Sequence, residues 1–227
     1  MKAIKYFALA AMLAVGVSAS AQFTTGSSSR KAKSSSSKGW NTFYVEYNPV
    51  KFNVDQSGAD DESMTAFTLG YGRAFAVSPS VPVIIETGVA GQYTFKSDFL
   101  DVDDADFSMI SAKVPISLGY DFNLNNGSVS IIPFVGAFAR FNISGKLKYS
   151  SESIDKNWSL FDKKDMQEAN FTLDQKACRR FQLGWHIGAK VRIANSFLAG
   201  FSYGSDFSEF SKKIKISTWS IILGYTF

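Results

Sequence analysis

The chain has 227 residues, of which 45% are hydrophobic and 15% aromatic, and its formal net charge is +4. This hydrophobic content excludes a disordered chain, and a mean hydropathy of −0.03 is too polar for a bundle of membrane helices. Both values fit membrane strands in which apolar residues alternate with polar ones.

The positive charge is concentrated before the first predicted strand. Six cations lie there: Lys2, Lys5, Arg30, Lys31, Lys33 and Lys38. Without them the rest of the chain carries about −2, so the pI of about 9.0 is no argument for a nucleic-acid partner. Nucleotide, phosphate-loop and zinc signatures are also missing from the sequence, and we predict no cofactor and no metal site.

The first 39 residues predict a secretory signal followed by a flexible tail. Two lysines precede an apolar stretch over 6–17, and small residues over 18–21 form a cleavage site after Ala21. A retained membrane anchor is the alternative. Residues 22–39 are rich in Ser and Lys and poor in apolar residues, so they cannot bury enough surface to fold.

Residues 40–227 predict a single domain of eight strands. The strands are expected near 40–47, 64–77, 82–95, 107–122, 129–143, 180–194, 197–207 and 215–227. Most have the ~9–11 residues that a tilted transmembrane strand needs. Connections after strands two, four and six are short, and the others are longer. The fold class is therefore an all-β, eight-stranded antiparallel transmembrane β-barrel with short periplasmic turns and long outer loops.

Alternation assigns an inner and an outer face to each strand, and glycine favours the inner one. Ten of the 17 glycines fall on the inner face, as expected for an interior only wide enough for side chains. Three residues fit poorly. Pro115 and Pro133 lie inside strands, where a bulge would accommodate them. Arg73 points outward, either to reach the lipid headgroups or because the register slips there.

Charged residues on the inner face predict a lumen charge network. It comprises Glu86, Lys113, Asp121, Lys190 and Arg192, with Glu46, Arg140 and His186 on the same face. Isolated buried charges are costly, so opposite charges should pair. The network indicates either a plug of ion pairs, which we favour, or a constricted pore. His186 reads as a packing residue rather than a general base, because no nucleophile is evident beside it.

The outer loops carry acidic and aromatic residues. Five carboxylates lie in 98–106 and three in 60–62, which indicates solvated acidic loops or, less favoured, a weak divalent-cation site. A connection of ~35 residues, from about 144 to 179, contains Trp158, Leu160, Phe161 and Phe171. It predicts an adhesive or partner-binding surface, with an unstructured loop as the alternative. The lone Cys178 has no partner for an internal disulfide and reads as an inert loop residue.

The last strand presents Trp219, Tyr225 and Phe227 on one face. A terminal strand of this kind suits a barrel that closes in lipid, with the final aromatic helping to mark it for assembly. We therefore expect two partners: outer-membrane lipid and the barrel-assembly machinery. A surface ligand or protein partner is a third expectation.

With these features, the sequence resembles the small outer-membrane β-barrel family common in Bacteroidota, of PorT-like type, and in overall plan the OmpA and OmpX barrels. The motifs that carry the resemblance are Gly-Tyr-Gly-Arg-Ala-Phe at 70–75, Ile-Ile-Glu-Thr-Gly at 84–88 and the terminal strand. The resemblance implies a barrel in the cell outer membrane, and a link to secretion in PorT-like members for which no residue here provides a basis.

The function we expect is therefore a non-enzymatic structural or surface-interaction role through the outer loops. The alternatives are a narrow pore or a secretion-associated barrel, and then a membrane-embedded enzyme. Fold alone does not decide among them.

Overall fold

A computed structural model describes residues 39–55, 61–78, 80–124, 128–151, 154–169 and 176–227. The predicted signal and the predicted tail up to residue 38 lie outside these residues. Among the residues described, no helix has the length and apolar character needed to cross a membrane.

Ten strands form one sheet. They are β1 (Trp40–Val54), β2 (Glu62–Ser78), β3 (Val81–Lys96), β4 (Ala105–Tyr120), β5 (Phe122–Leu124), β6 (Val129–Ser151), β7 (Ile154–Ser159), β8 (Phe181–Ile193), β9 (Phe197–Asp206) and β10 (Ile214–Thr226). Within the residues described, a 3-10 turn covers Phe99–Asp101, and a short helix, α1, covers Lys163–Ala169.

The sheet closes into an antiparallel barrel. Neighbouring strands follow the order β1, β2, β3, β4, β6, β8, β9, β10 and back to β1, with β5 continuing β4. β7 pairs only with β6, beyond the barrel wall. The prediction of an eight-stranded transmembrane barrel is confirmed.

The first and last strands form the closing seam. The Asn41 amide donates to the Phe227 carbonyl over 2.9 Å, and the Phe227 amide donates back to Asn41 over 3.0 Å. The side chains of Trp219, Tyr225 and Phe227 all point outward and are more than half exposed. The structure therefore places the predicted terminal strand where lipid contacts it.

Two strands run well past the predicted ends. β1 continues to Val54 and β6 to Ser151, and the loop expected from 144 to 179 instead begins with the end of β6, β7 and α1. About 9–11 residues suffice to cross a bilayer, so the 23-residue β6 and the 17-residue β2 rise beyond it on the outer side. The long connection between these barrel strands is therefore partly built of sheet, because cross-strand pairing with β7 prolongs β6.

Pro115 and Pro133 each lie where the ladder on one side of the strand is interrupted without a change of register. The β3–β4 pairs stop at Thr87↔Ile116 and resume at Ala90↔Lys113, leaving out Pro115. The pairs of β6 with β4 and β5 likewise leave out Pro133. A bulge does occur between β4 and β6 at Ile110/Ser111, but not at either proline. Instead of the expected bulge, the structure has a local gap in the ladder beside each of these two prolines, where the proline has no N–H to donate.

Arg73 stays in register between Asn41 and Thr87, so the strand does not slip at this position. Its guanidinium carbon lies 5.2 Å from the centre of the Phe75 ring on the outer face.

Two apolar clusters close the two ends of the interior. At the outer end, residues from the raised strand ends, α1 and the loops form a single core, called the cap here: Val50, Phe52, Met64, Ala66, Phe99, Ala105, Phe107, Met109, Leu147, Leu160, Met166, Cys178, Phe210, Ile214 and Ile216. At the periplasmic end, the smaller cluster is Trp40, Ala74, Ile84 and Ile132. Cys178, expected in an inert loop, is therefore part of the packed cap.

Between these clusters the interior is crowded, which explains the inward glycines. A Cβ added at Gly70 would lie 2.2 Å from Cζ of Tyr44, and one at Gly136 would lie 2.4 Å from Nε2 of His186. Side chains of residues facing these glycines occupy the space that a larger residue would need.

Candidate functional site: the charged lumen beneath the outer cap

The lumen between the two apolar clusters holds equal numbers of acidic and basic side chains among the described residues. The acids are Glu46, Glu86, Asp121 and Asp206, and the bases are Lys113, Arg140, Lys190 and Arg192. A low-dielectric interior favours this balance of charges. The desolvation of one buried ion without a partner costs on the order of several kcal/mol.

The outermost layer of the lumen is a network around Arg140. Its guanidinium pairs with the Asp206 carboxylate, and its Nε and Nη2 donate to Oε1 of Gln182 over 3.2 and 2.9 Å. The Gln182 amide in turn donates to Asp206 over 2.7 Å. Asn142 also donates to Oε1 of Gln182, over 2.9 Å, and accepts from Ser111 over 2.7 Å. This layer ties β4, β6, β8 and β9 together directly under the cap.

A second polar cluster ties β1 to its two neighbours at about the same level. Asn48 is fully buried, and its amide donates to Ser220 over 2.7 Å and to Glu46 over 3.1 Å. Its carbonyl oxygen accepts from the Thr68 hydroxyl over 2.6 Å. One asparagine thus links β10, β1 and β2 across the seam.

Below these layers lies a small cavity of about 40 Å³. Lys190 Nζ is 2.6 Å from Oε1 of Glu86 on its wall, and also lies 4.6 Å from the centre of the Phe134 ring. Lys113 Nζ faces the same cavity, 4.5 Å from the centre of the Phe138 ring. This volume suffices for a few water molecules and for no larger ligand, since one water needs about 10–15 Å³ by this measure.

His186 lies in this cavity beside a serine. Its Nε2 is 2.9 Å from the Ser117 hydroxyl, and its ring packs edge-on against Phe134 with centroids 5.6 Å apart. Ser117 is the candidate nucleophile that the sequence did not reveal next to His186. The pair lies inside the closed lumen, where the 40 Å³ of space holds no acyl or peptide substrate.

The periplasmic layer is built on Arg192. Its Nη2 donates to Asp121 over 3.2 Å and to Ser130 over 3.3 Å, and the guanidinium carbon lies 3.7 Å from the centre of the Trp40 ring. The Arg192 guanidinium therefore covers the apolar cluster at this end and makes a cation–π interaction with the Trp40 indole.

Four of the five predicted network residues thus form two ion pairs, Glu86–Lys190 and Asp121–Arg192, whereas Lys113 contacts an aromatic ring instead. Sequence reasoning missed Asp206, the partner of Arg140. The alternation of the strand could have identified Asp206 as inward-facing, because it lies in a predicted strand an even number of residues from the inward glycines 200 and 204.

The acidic outer loops do not converge. Within the described ranges, no group of three or more His, Cys, Asp or Glu side chains is arranged to hold a metal ion. Asp61 pairs instead with Lys51 over 2.8 Å, and Glu62 pairs with Lys96. Two residues of the predicted outer loops lie outside the described residues: Asp60, in the acidic segment 60–62, and Phe171, in the connection from about 144 to 179.

The matching family model is the "Outer membrane protein beta-barrel domain", and it covers residues 7–227. The chain belongs to this family, and it is an outer-membrane protein. No match is found among curated proteins.

Solved structures with a similar fold include several outer-membrane proteins. Ail, the attachment invasion locus protein of Yersinia pestis, is 19% identical, with a TM-score of 0.47, over 84% of this chain and 99% of that chain. Neisserial surface protein A is 12% identical, with a TM-score of 0.43, over 82% and 97%. The outer membrane enzyme PagL is 10% identical, with a TM-score of 0.42, over 81% and 97%. At these identities the likeness concerns the barrel fold alone.

Proposed function

We propose that this protein is a non-enzymatic, non-conducting barrel that presents its folded outer end to a ligand or protein partner outside the cell. The observation that carries this proposal is the cap. The outer ends of the strands do not lead into an open mouth but are joined by one packed apolar core over the lumen. A preformed surface loses little conformational entropy when it binds, which favours recognition.

The tip of the β3–β4 connection is the part of this surface best suited to contact a partner. Leu100 and Val102 are 49% and 46% exposed there, while the preceding residue, Phe99, is buried and stacks on Phe107 with centroids 4.9 Å apart. Leu100 has a φ of 59°, a left-handed conformation that costs a bulky residue energy and that turns its side chain outward. Exposed carboxylates of Asp103 and Asp104 adjoin the tip, so we expect a partner with an apolar group and basic side chains.

Site-specific photo-crosslinking on intact cells tests this proposal. A photoreactive residue is placed at Leu100 or at Val102, and at Lys163, an exposed position on α1, as the control. We expect one discrete adduct from the tip positions and none from position 163. Equal adducts at all three positions, or none at the tip, would contradict the proposal.

The alternative of a narrow pore is opposed by the three closures along the axis: the cap, the ion-paired lumen and the Trp40 cluster. An enzymatic role would rest on Ser117 and His186, whose cavity of about 40 Å³ is too small for a lipid or peptide. A PorT-like role in secretion stays a prediction from the resemblance.

A further inference from the structure

The lipid-facing wall formed by β2, β3 and β4 contains a groove at Gly91. A Cβ added at this glycine would meet no atom within 4 Å, in contrast to the crowded glycines of the lumen. The groove has a volume of about 630 Å³, and Phe67, Leu69, Tyr93 and Ile110 form its sides. Gly91 forms part of its floor, and it pairs in register with Ala112, another small residue, on the adjacent strand.

A polar cleft lies directly above this groove, toward the outer side of the membrane. It has a volume of about 450 Å³ and shares Tyr93 with the groove. Phe95 and Ser108 pair in the next row of the sheet, and Lys146 follows on β6. Rows on one face are about 6.6 Å apart, so the first lysine row lies about 13 Å above Gly91, within an acyl chain's reach.

The cleft carries an excess of positive charge. Lys146 and Lys148 are exposed, and neither has an ion-pair partner in the part of the chain that the structure describes. Lys96 also lines the cleft, but Glu62 neutralises it. Asp106 lies opposite Lys148 and contributes one opposing charge. The remaining polar lining, Ser97, Ser108 and Asn157, is neutral and can donate hydrogen bonds.

The aromatic residues set the depth of this arrangement in the membrane. Phe67 stacks on Phe95 with centroids 6.2 Å apart, and Tyr93 stacks on Phe95 at 5.6 Å. Girdles of aromatic side chains mark the level of the lipid headgroups on barrels. Lys146 lies in the same row as Phe95, and Lys148 lies one row higher, so both lysines are at the level of the headgroup phosphates of the outer leaflet.

We propose that this wall is a binding site for one phosphorylated lipid of the outer leaflet. The phosphate lies between Lys146 and Lys148, and an acyl chain lies over Gly91 between Leu69 and Tyr93. Charge complementarity selects an anionic headgroup, and the apolar groove continuous with the cleft selects a ligand that carries a hydrocarbon chain. The site lies at the membrane interface and does not include the Leu100 tip, so this proposal and the proposed function fail independently.

The test measures lipid retained by the full-length protein refolded in dodecyl maltoside micelles that contain either phosphatidylglycerol or phosphatidylcholine. Native mass spectrometry counts the lipids that stay bound. The variants are K146Q/K148Q for the headgroup, G91V for the acyl groove, and K215Q, an exposed lysine on β10 away from the cleft, as the matched control. A heat-dependent gel shift verifies that each variant is folded.

We expect the wild type and K215Q to retain one phosphatidylglycerol in preference to phosphatidylcholine. Retention by K146Q/K148Q should fall about tenfold, because each lysine near the membrane surface strengthens attraction to an anionic headgroup by a few-fold. G91V should also fall, because its side chain occupies the groove. Equal retention by wild type and K146Q/K148Q would overturn the proposal. Full displacement of the lipid by millimolar inorganic phosphate would also overturn it, in favour of a site for the free anion.

Discussion

Removing Asp206 should destabilise the barrel more than any exposed charge substitution. The Asp206 and Arg140 side chains are 1% and 4% exposed, and Asp206 is the only carboxylate paired with Arg140 among the described residues. In Asp206→Ala the guanidinium keeps one neutral acceptor, Gln182. A buried ion pair that loses one partner costs about 3–5 kcal/mol, because the other charge stays desolvated.

The double variant R140M/D206L separates a lost ion pair from a general loss of packing. It removes both charges and keeps apolar volume, so its free energy of unfolding should lie within about 1–2 kcal/mol of the wild type. D206N is the conservative single variant, and it should fall between D206A and the wild type. The measurement is guanidinium unfolding of the protein in phospholipid vesicles, followed by tryptophan fluorescence. A cost below about 1 kcal/mol for D206A, typical of exposed pairs, would refute the reasoning, as would a double variant no more stable than D206A.

Two further predictions concern the lumen and the outer strand ends. G70V should fail to fold, because its side chain overlaps the Tyr44 ring, whereas Y44A/G70V should fold and recover the heat-dependent gel shift. G91V should show the gel shift without a second substitution, because a Cβ at that glycine meets no atom. A folded G70V barrel would contradict the crowding of the lumen. At the β1–β2 tip, hydrogen bonds from Lys51 and from the Val54 amide hold the pKa of the Asp61 carboxyl below its usual value. A lowered folded-state pKa means that this stabilisation is present at neutral pH and is lost as the pH falls below about 4. Hydrogen exchange should therefore show protection of the wild-type Val54 amide at pH 7 and reduced protection at pH 3. In D61A, protection should be reduced at both pH values. Equal protection of the wild type at pH 7 and pH 3 would show that the carboxylate does not hold the tip.

The barrel could be predicted from the sequence because its physical basis is local. Alternation of apolar and polar residues with period two fixes the face of each residue, and the lengths of the connections fix the topology. Inward positions such as Glu86 and Lys190 followed from that alternation. Their pairing did not, because it depends on which residues of non-adjacent strands face each other across the lumen, and the stagger of the closed sheet decides that.

The cap could not be predicted because its residues are far apart in the sequence. Phe52 lies near the end of β1, Met166 in α1 and Phe210 between β9 and β10, and no local pattern brings them together. The first strand, predicted near 40–47, also ends before Pro49 in the prediction. In the structure β1 continues through Pro49, because the ladder to β10 omits that residue and resumes at Val50↔Thr218.

Conductance across a planar lipid bilayer shows whether this barrel is closed along its axis. The proteins compared are the wild type, K190A and R192A, with a porin in the same bilayer as a positive control. We expect no conductance steps from any of the three, because the cap and the Trp40 cluster remain when one lumen charge is removed. Discrete steps from the wild type, or from K190A alone, would contradict a closed lumen and make a gated pore the better account of this protein.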